Sequence, residues 1–277
     1  MKTYPRVLTI AGSDSGGGAG LQADIKAISA TGSYAASAVT AVTVQNTLGV
    51  REVVCMEPRI VGAQIDAVLD DIGADAVKIG MLGSADVVRA VASRLLAHDV
   101  RNIVLDPVMV ATSGDNLLEV PAVRVLADEL APYARVITPN IPEAEVLSGR
   151  KVSSQDDLKP LALALSRSLS TRSGRPVSVL MKAGHLEDET LTDWFYNAEE
   201  GHFVELRSRR VDSPNTHGTG CTLSSAFASF LAQGYGLDES AQRAKAYISA
   251  AIESGSGYQI GHGHGPVDHF FAQKKNN

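Results

Sequence analysis

The feature that most constrains this chain is a repeating alternation. Short runs of β-branched and aliphatic residues each end in loop chemistry, and longer segments of helical period lie between them. Val7-Leu8-Thr9-Ile10-Ala11 is the first run. Residues 39–44, Ala76-Val77-Lys78-Ile79, Ile103-Val104-Leu105, Val136-Ile137-Thr138 and Val177-Ser178-Val179-Leu180-Met181 repeat it. Such runs suit strands buried on both faces, so the pattern predicts an α/β fold, a mainly parallel sheet with helices on both sides. Val61, Ile65, Val68, Leu69 and Ile72 fall at the spacing of a buried helical stripe. Leu223, Phe227, Phe230 and Leu231 do the same, with Gly234 as the stop. Residues 190–195 and 203–211 read as a late antiparallel pair ahead of the last two helices. Residues 169–176, rich in Ser, Thr, Arg and Gly, read as an exposed connection. No repeat or linker divides the sequence, so one domain over residues 1–277 is expected.

Composition removes several classes of function. A formal charge of −6, with no dense Lys/Arg cluster, supplies no basic field for nucleic acid. No apolar run approaches the ~20 residues needed to span a bilayer. Met1-Lys2-Thr3-Tyr4-Pro5-Arg6 runs straight into the first strand without the apolar core of a secretory signal. The two cysteines, Cys55 and Cys221, form no metal or disulfide spacing, so a cytoplasmic location is expected.

Several loops carry residues suited to phosphate chemistry. Asn215-Thr216-His217-Gly218-Thr219-Gly220-Cys221 precedes the Leu223 helix, so its glycine-rich turn delivers backbone N–H groups at a helix N-terminus, an anion site. The amides of Gly218, Thr219 and Gly220 would stabilise charge developing on a transferred phosphoryl group. Cys221 lies in the same field, where a lowered pKa would make it a base for a substrate hydroxyl or a nucleophile. The alternative is a small apolar residue packed under a tight turn. Asp106 follows the strand at residues 103–105, and Asn140 and Glu143 follow the strand at 136–138, which places acids where open α/β sheets bind ligands. That oxygen-rich set suits Mg²⁺, held directly or through water. Against it, Asn140 and Pro142 are also the residues of an ordinary helix start. Lys182, after the strand ending at Met181, would reach a nucleotide phosphate unless it is a solvated surface lysine. Gly18-Ala19-Gly20-Leu21-Gln22-Ala23 fits a dinucleotide fingerprint, but no acidic residue ends the second strand, and no G-x-x-x-x-G-K-[ST] loop is present. Gln45 reads instead as a carboxamide offering donors and an acceptor to a heterocycle's edge.

Together these motifs closely resemble the hydroxymethylpyrimidine and phosphomethylpyrimidine kinases of thiamin biosynthesis, within the ribokinase-like superfamily. The resemblance covers nearly the whole chain. It rests on Leu8-Thr9-Ile10-Ala11-Gly12-Ser13-Asp14, Gly18-Ala19-Gly20-Leu21-Gln22-Ala23-Asp24, Val44-Gln45-Asn46-Thr47, Lys78-Ile79-Gly80-Met81-Leu82, Asp106-Pro107-Val108-Met109, Thr138-Pro139-Asn140-Ile141-Pro142-Glu143, Met181-Lys182 with Gly184-His185, residues 216–222, and the tail through Gly265-Pro266-Val267-Asp268-His269. It implies a three-layer α/β sandwich without a separate lid domain, usually a homodimer, using ATP and Mg²⁺ on a small aminopyrimidine. Gly12, Asp24, Gln45 and Val108 would lie around the pyrimidine. Asp106, Asn140, Glu143 and Lys182 would serve the metal and phosphates, with Asp106 and Glu143 as the Mg²⁺ residues. Gly218, Thr219, Gly220 and Lys182 would act on the transferred group with Cys221, which stands where superfamily relatives often carry an aspartate base. The sequence departs from the resemblance at Ser15-Gly16-Gly17-Gly18 and at Ala183. A pyridoxal kinase of the same fold is the nearest rival, because that vitamin is also a ring bearing a hydroxymethyl group. A binding protein without turnover is opposed by the intact Asp106, Glu143 and Lys182, and a zinc site on His262 and His264 lacks further ligands at recognisable spacing.

Overall fold

The computed structural model describes residues 4–109, 118–184 and 189–273. In chain order it contains β1 (Arg6–Asp14), α1 (Gly20–Ala30), β2 (Tyr34–Asn46), β3 (Gly49–Cys55), α2 (Pro58–Asp71), β4 (Ala76–Ile79), α3 (Ala85–Ala97), β5 (Ile103–Leu105) and α4 (Val120–Val125). There follow β6 (Val136–Ile137), α5 (Ile141–Ser148), α6 (Leu158–Ser173), β7 (Ser178–Met181), β8 (Thr190–Asn197), β9 (His202–Arg209), α7 (Thr219–Ala232) and α8 (Leu237–Gly255). All nine strands among the described residues belong to one sheet, in the order β3-β2-β1-β4-β5-β6-β7-β8-β9. Pairing is parallel from β2 through β1, β4, β5 and β6 to β7, and antiparallel at both margins.

Alternate residues of the central strands feed two separate cores, which is why their sequences are apolar throughout. Leu8, Ile10, Val77, Ile79, Ile103 and Leu105 face α2, α3 and α6, where Val61, Ile65, Val91 and Leu165 meet them. Val7, Ala76, Val104, Val136 and Leu180 face the opposite layer, built from Ile28 of α1, Phe227 of α7 and Ile248 of α8. Phe195 of β8 stacks edge-on against Phe227, with ring centroids 5.7 Å apart. Burying such side chains contributes ~1.5–3 kcal/mol each.

One local expectation is corrected. Residues 169–173 are not an exposed connection: α6 continues to Ser173, because Leu169 is buried against its core, and it ends at Gly174 in the left-handed conformation. The structure also holds a strand that the alternation did not bring out, β3, which pairs antiparallel with β2. The late antiparallel pair is present as β8 and β9. No helix among the described residues is long and apolar enough to cross a membrane.

Candidate active site

Because the central strands run parallel, their carboxyl ends share one edge of the sheet, and most of the predicted chemical residues gather there. β1 is flanked by β2 on one side and β4 on the other, the reversal of order at which such sheets open a crevice. Asp106 follows β5 and is buried; its Oδ1 accepts from Lys182 Nζ at 2.9 Å and from Thr138 Oγ1 at 3.2 Å. Lys182 follows β7 and is no surface lysine: its side chain is 14% exposed, and Nζ also lies 3.8 Å from Glu143 Oε2. Glu143 occupies the first turn of α5, where Asn140 Oδ1 accepts from the Glu143 amide at 2.9 Å and Glu143 Oε2 accepts from the Asn140 amide at 2.8 Å. This reciprocal cap turns the Asn140 oxygen toward the helix. Asn140 therefore sets the angle of α5 and the place of Glu143.

One ammonium here serves two buried acids. Burial pushes the Glu143 carboxyl up to about 7, aided by the Asp106 charge and opposed by Lys182 and the Asn140 amide. Burial pulls the Lys182 ammonium down, but the charges of Asp106 and Glu143 outweigh it and hold the group above its ordinary value. The surplus negative charge and the all-oxygen donor set of Asp106 and Glu143 fit a hard divalent cation.

The amino end of α7 closes on the same point. Gly218 is its N-cap at φ 79°, and a Cβ there would lie 1.9 Å from the Gly18 carbonyl oxygen, so only glycine fits. A Cβ on Gly220 would lie 3.2 Å from Lys182 Nζ and 3.4 Å from Asp106 Oδ2, so the first turn of α7 abuts the ion pair directly. The Thr219 amide donates to Thr216 O at 3.3 Å, which engages one of the three amides expected to face an anion. Cys221 is partly exposed, but its thiol moves opposite to the lowering that a helix N-terminus can bring. Burial pushes it up to about 11, with the Asp24 and Asp106 charges added and with Lys78 and the Gly20 amide opposed.

Asp24, expected near the pyrimidine, lies deeper than the ends of β1 and β2. Its carboxylate is fully buried on α1, where it accepts from Thr9 Oγ1 at 2.6 Å, Ser225 Oγ at 2.8 Å and Lys78 Nζ at 2.8 and 2.9 Å. Asp24 thus lies beneath the surface, with its carboxylate committed to Thr9, Lys78 and Ser225. Gly12 sits beside the irregularity in β1 between Ala11 and Ser13, and a Cβ there would press within 3.0 Å of Met81 Sδ. Val108 is half-buried just beyond Asp106, and its amide donates to Asp106 O at 2.8 Å. Gln45 is half-buried near the end of β2, its carboxamide lying between Thr43 and His217. His185 lies outside the described residues.

Three residues that sequence reasoning gave no role complete this region. Asp14 folds the glycine-rich loop around itself, accepting from the amides of Gly16 at 2.8 Å, Gly18 at 3.0 Å and Ala19 at 2.8 Å. His217 Nε2 lies 3.0 Å from Asp14 Oδ2. Lys78 sits under Cys221, with burial pulling its ammonium down and the charges of Asp24, Cys221 and Asp106 raising it further. The tail then straps the region: His264 N donates to Thr47 O at 2.9 Å, and the His217 amide donates to Gly265 O at 3.0 Å.

Paired acids, a lysine sharing them and a helix N-terminus converging at strand ends define an α/β phosphotransferase. The chain matches the phosphomethylpyrimidine kinase family over residues 14–268 and belongs to it. It is 47% identical over 263 residues to the hydroxymethylpyrimidine/phosphomethylpyrimidine kinase of Rhizobium meliloti, covering 95% of this chain and 96% of that protein. It is 48% identical over 272 residues to the thiamine biosynthesis bifunctional protein ThiED of Geobacter sulfurreducens, covering 97% of this chain but spanning only 53% of that longer protein. Among solved structures it is similar to phosphomethylpyrimidine kinase from Clostridium difficile (TM-score 0.76, 42% identity, 89% of this chain and 99% of that one). It is also similar to Bacillus subtilis pyridoxal kinase in an ADP complex (TM-score 0.85, 33% identity, 98% and 99%). The architecture is the ribokinase-like α/β sandwich expected from the sequence.

Proposed function

We propose that this kinase transfers the γ-phosphoryl group of ATP to the hydroxymethyl oxygen of 4-amino-5-hydroxymethyl-2-methylpyrimidine, and then transfers a second phosphoryl group to the resulting monophosphate. The observation that carries the reading is the meeting of the Lys182–Asp106 pair with the first turn of α7 at Gly220, while His217, just before that helix, reaches the Gln45 carboxamide at the end of β2. Lys182 and the unengaged amides of the turn stabilise negative charge on the transferred group, where preorganised donors are worth most. Asp106 and Glu143 would hold Mg²⁺, directly or through water, and the ion would neutralise phosphate charge. Gln45 reads the ring, accepting from the exocyclic amine and donating to the adjacent ring nitrogen. Transfer through a loose transition state requires little help from a strong base, in keeping with a thiol at Cys221 that keeps its proton.

The reading extends to one catalytic domain in the cytoplasm acting as a homodimer. Val42, Val44 and Val54, exposed together on the β2–β3 hairpin, supply an apolar face for a second copy. A pyridoxal kinase is the second reading, favoured by the similarity to the Bacillus subtilis enzyme. Incubation with Mg-ATP and, in turn, the aminopyrimidine, its monophosphate and pyridoxal, followed by ³¹P NMR of the products, separates them. Both pyrimidine products should form, each faster than pyridoxal phosphate. Turnover of pyridoxal alone would replace the proposal with its rival.

A further inference from the structure

The hydrogens around Gln45 decide which way round its carboxamide sits. As placed, the amide oxygen lies 3.0 Å from Thr43 Oγ1 and the amide nitrogen 3.3 Å from His217 Nε2, but the two ends are nearly isosteric and the surrounding donors and acceptors fix which is which. Thr43 Oγ1 is also 3.0 Å from the Ser13 carbonyl oxygen, which can only accept, so the single hydroxyl proton goes to Ser13. The amide end facing Thr43 must then be the donating NH₂, and the end facing His217 must be the oxygen.

The same ring nitrogen has a second partner that makes the same demand. Asp14 Oδ2, 3.0 Å from His217 Nε2, can only accept while ionised. Burial raises the Asp14 carboxyl, but the bond from His217 and the amides of Ala19 and Gly16 outweigh it and hold the group below its ordinary range. Nε2 therefore carries a hydrogen, shared between Asp14 and the Gln45 oxygen. With the amide left as placed, Thr43 would owe its one proton to two acceptors, and the NH₂ would face an N–H. The imidazole packs closely on the glycine loop, and its backbone is held by the tail. A Cβ on Gly18 would already lie 2.5 Å from His217 Cδ2, and the His217 backbone pairs with Gly265 and Pro266 of the tail.

We propose that His217 is a positioning residue for substrate choice: its Nε2–H, anchored by Asp14, fixes the Gln45 carboxamide with oxygen toward the imidazole and NH₂ toward Thr43, so the ring is read in one order only. The second lone pair of that oxygen then accepts from an exocyclic amine on the His217 side. The second N–H donates to a ring nitrogen on the Thr43 side. This rests on the pyrimidine reading above and adds the orientation of the ring.

Two measurements test it. In protein carrying ¹⁵N-labelled histidine, without substrate, the His217 resonances should report a protonated Nε2 coupled to Asp14. A bare Nε2 overturns the proposal whatever the substrate is. Next, kcat/KM is compared for the aminopyrimidine and for its analogue lacking the exocyclic amine, in wild type, His217→Phe, Gln45→Leu and the double variant. His217→Phe should cut the preference for the amine about tenfold, the loss of one net hydrogen bond, while His217→Gln, which keeps a donor, restores part of it. The double variant should discriminate no worse than Gln45→Leu alone. An equal loss on both compounds, with the preference intact, means that His217 only supports the turn before α7 and removes the proposal. Failure of wild type to phosphorylate either pyrimidine defeats the functional reading instead, and leaves the resonance measurement standing as the test of the hydrogen placement.

Discussion

Two lysine–aspartate pairs lie in the same structure and have opposite fates. Lys78 of β4 meets Asp24 of α1 inside the layer between sheet and helices, where both side chains are 0% exposed and Thr9 and Ser225 complete the carboxylate's hydrogen bonds. Lys182 meets Asp106 at the strand ends, where the lysine retains 14% exposure and a second acid, Glu143, stands 3.8 Å away. The first group is closed, charge for charge and donor for acceptor. The second has one acid too many and an open side. A buried ion pair is therefore not in itself a sign of chemistry here; the unbalanced, accessible one is.

Breaking the closed pair should cost the most. Lys78→Met strands a buried carboxylate, for which about 3–5 kcal/mol of stability is the expected loss, and a fall in Tm of roughly 10 °C is anticipated. The double variant Lys78→Met/Asp24→Leu should recover most of it. If the single variant melts like wild type, the pair is not a structural element.

Breaking the open pair should show up in rate instead. Lys182→Met removes a preorganised cation from the transferred group, and kcat should drop by about 10²–10³. Tm should move by only a few degrees. Melting curves and steady-state kinetics on one preparation check both, and a large loss of Tm with little change in kcat would reverse the comparison.

Glu143 sharpens it through pH. Its folded pKa of about 7 lies above the ~4.3 of an unfolded glutamate, so between those values the folded state holds more protons. Stability should fall as pH rises through that window and level off above it. The carboxylate needed for Mg²⁺ forms over the same range, so kcat should rise roughly tenfold from pH 6 to pH 8, with the limb moving to lower pH as Mg²⁺ is raised. Glu143→Gln should lower kcat and flatten both profiles. Profiles unchanged in the variant would take Glu143 out of the site.

Cys221 should matter least. With its thiol pushed up to about 11 it stays protonated at neutral pH, so Cys221→Ala should slow both phosphorylations alike, by about tenfold or less. A loss confined to the first step, in which a hydroxyl sheds its proton, would restore the thiol as base.

The residues that sequence reasoning located share one property: their meaning is local. The central strands are readable because burial on both faces demands continuous apolar runs, and Asp106, Glu143 and Lys182 because each stands just past such a run. What escaped is set by distant partners. β3 is exposed or half-exposed at every residue and carries no buried stripe, so only its pairing with β2 reveals it. A carboxylate on α1 can point either way, and Asp24 points inward because Lys78, 54 residues later, receives it. His217 and Asp14 are 203 residues apart, and no spacing rule joins them. At 169–173 the polar residues suggest a loop, but one buried leucine keeps the helix going.

The strap formed by the tail bears on how the protein is made. Thr47, near the start of the chain, is held by Gly263 and His264, and the loop bearing His217 is held by Gly265. A ribosome delivers these contacts only once residues 263–265 are made. The nascent chain can form the β1–β2 pairing, and with it the Gln45 position, long before anything fixes the imidazole opposite. A chain stalled before residue 261 would therefore carry Asp106, Lys182 and Gln45 without the contacts that hold Thr47 and the His217 loop, so ordering of the ring-reading part of the site waits on residues made more than 200 positions after Gln45.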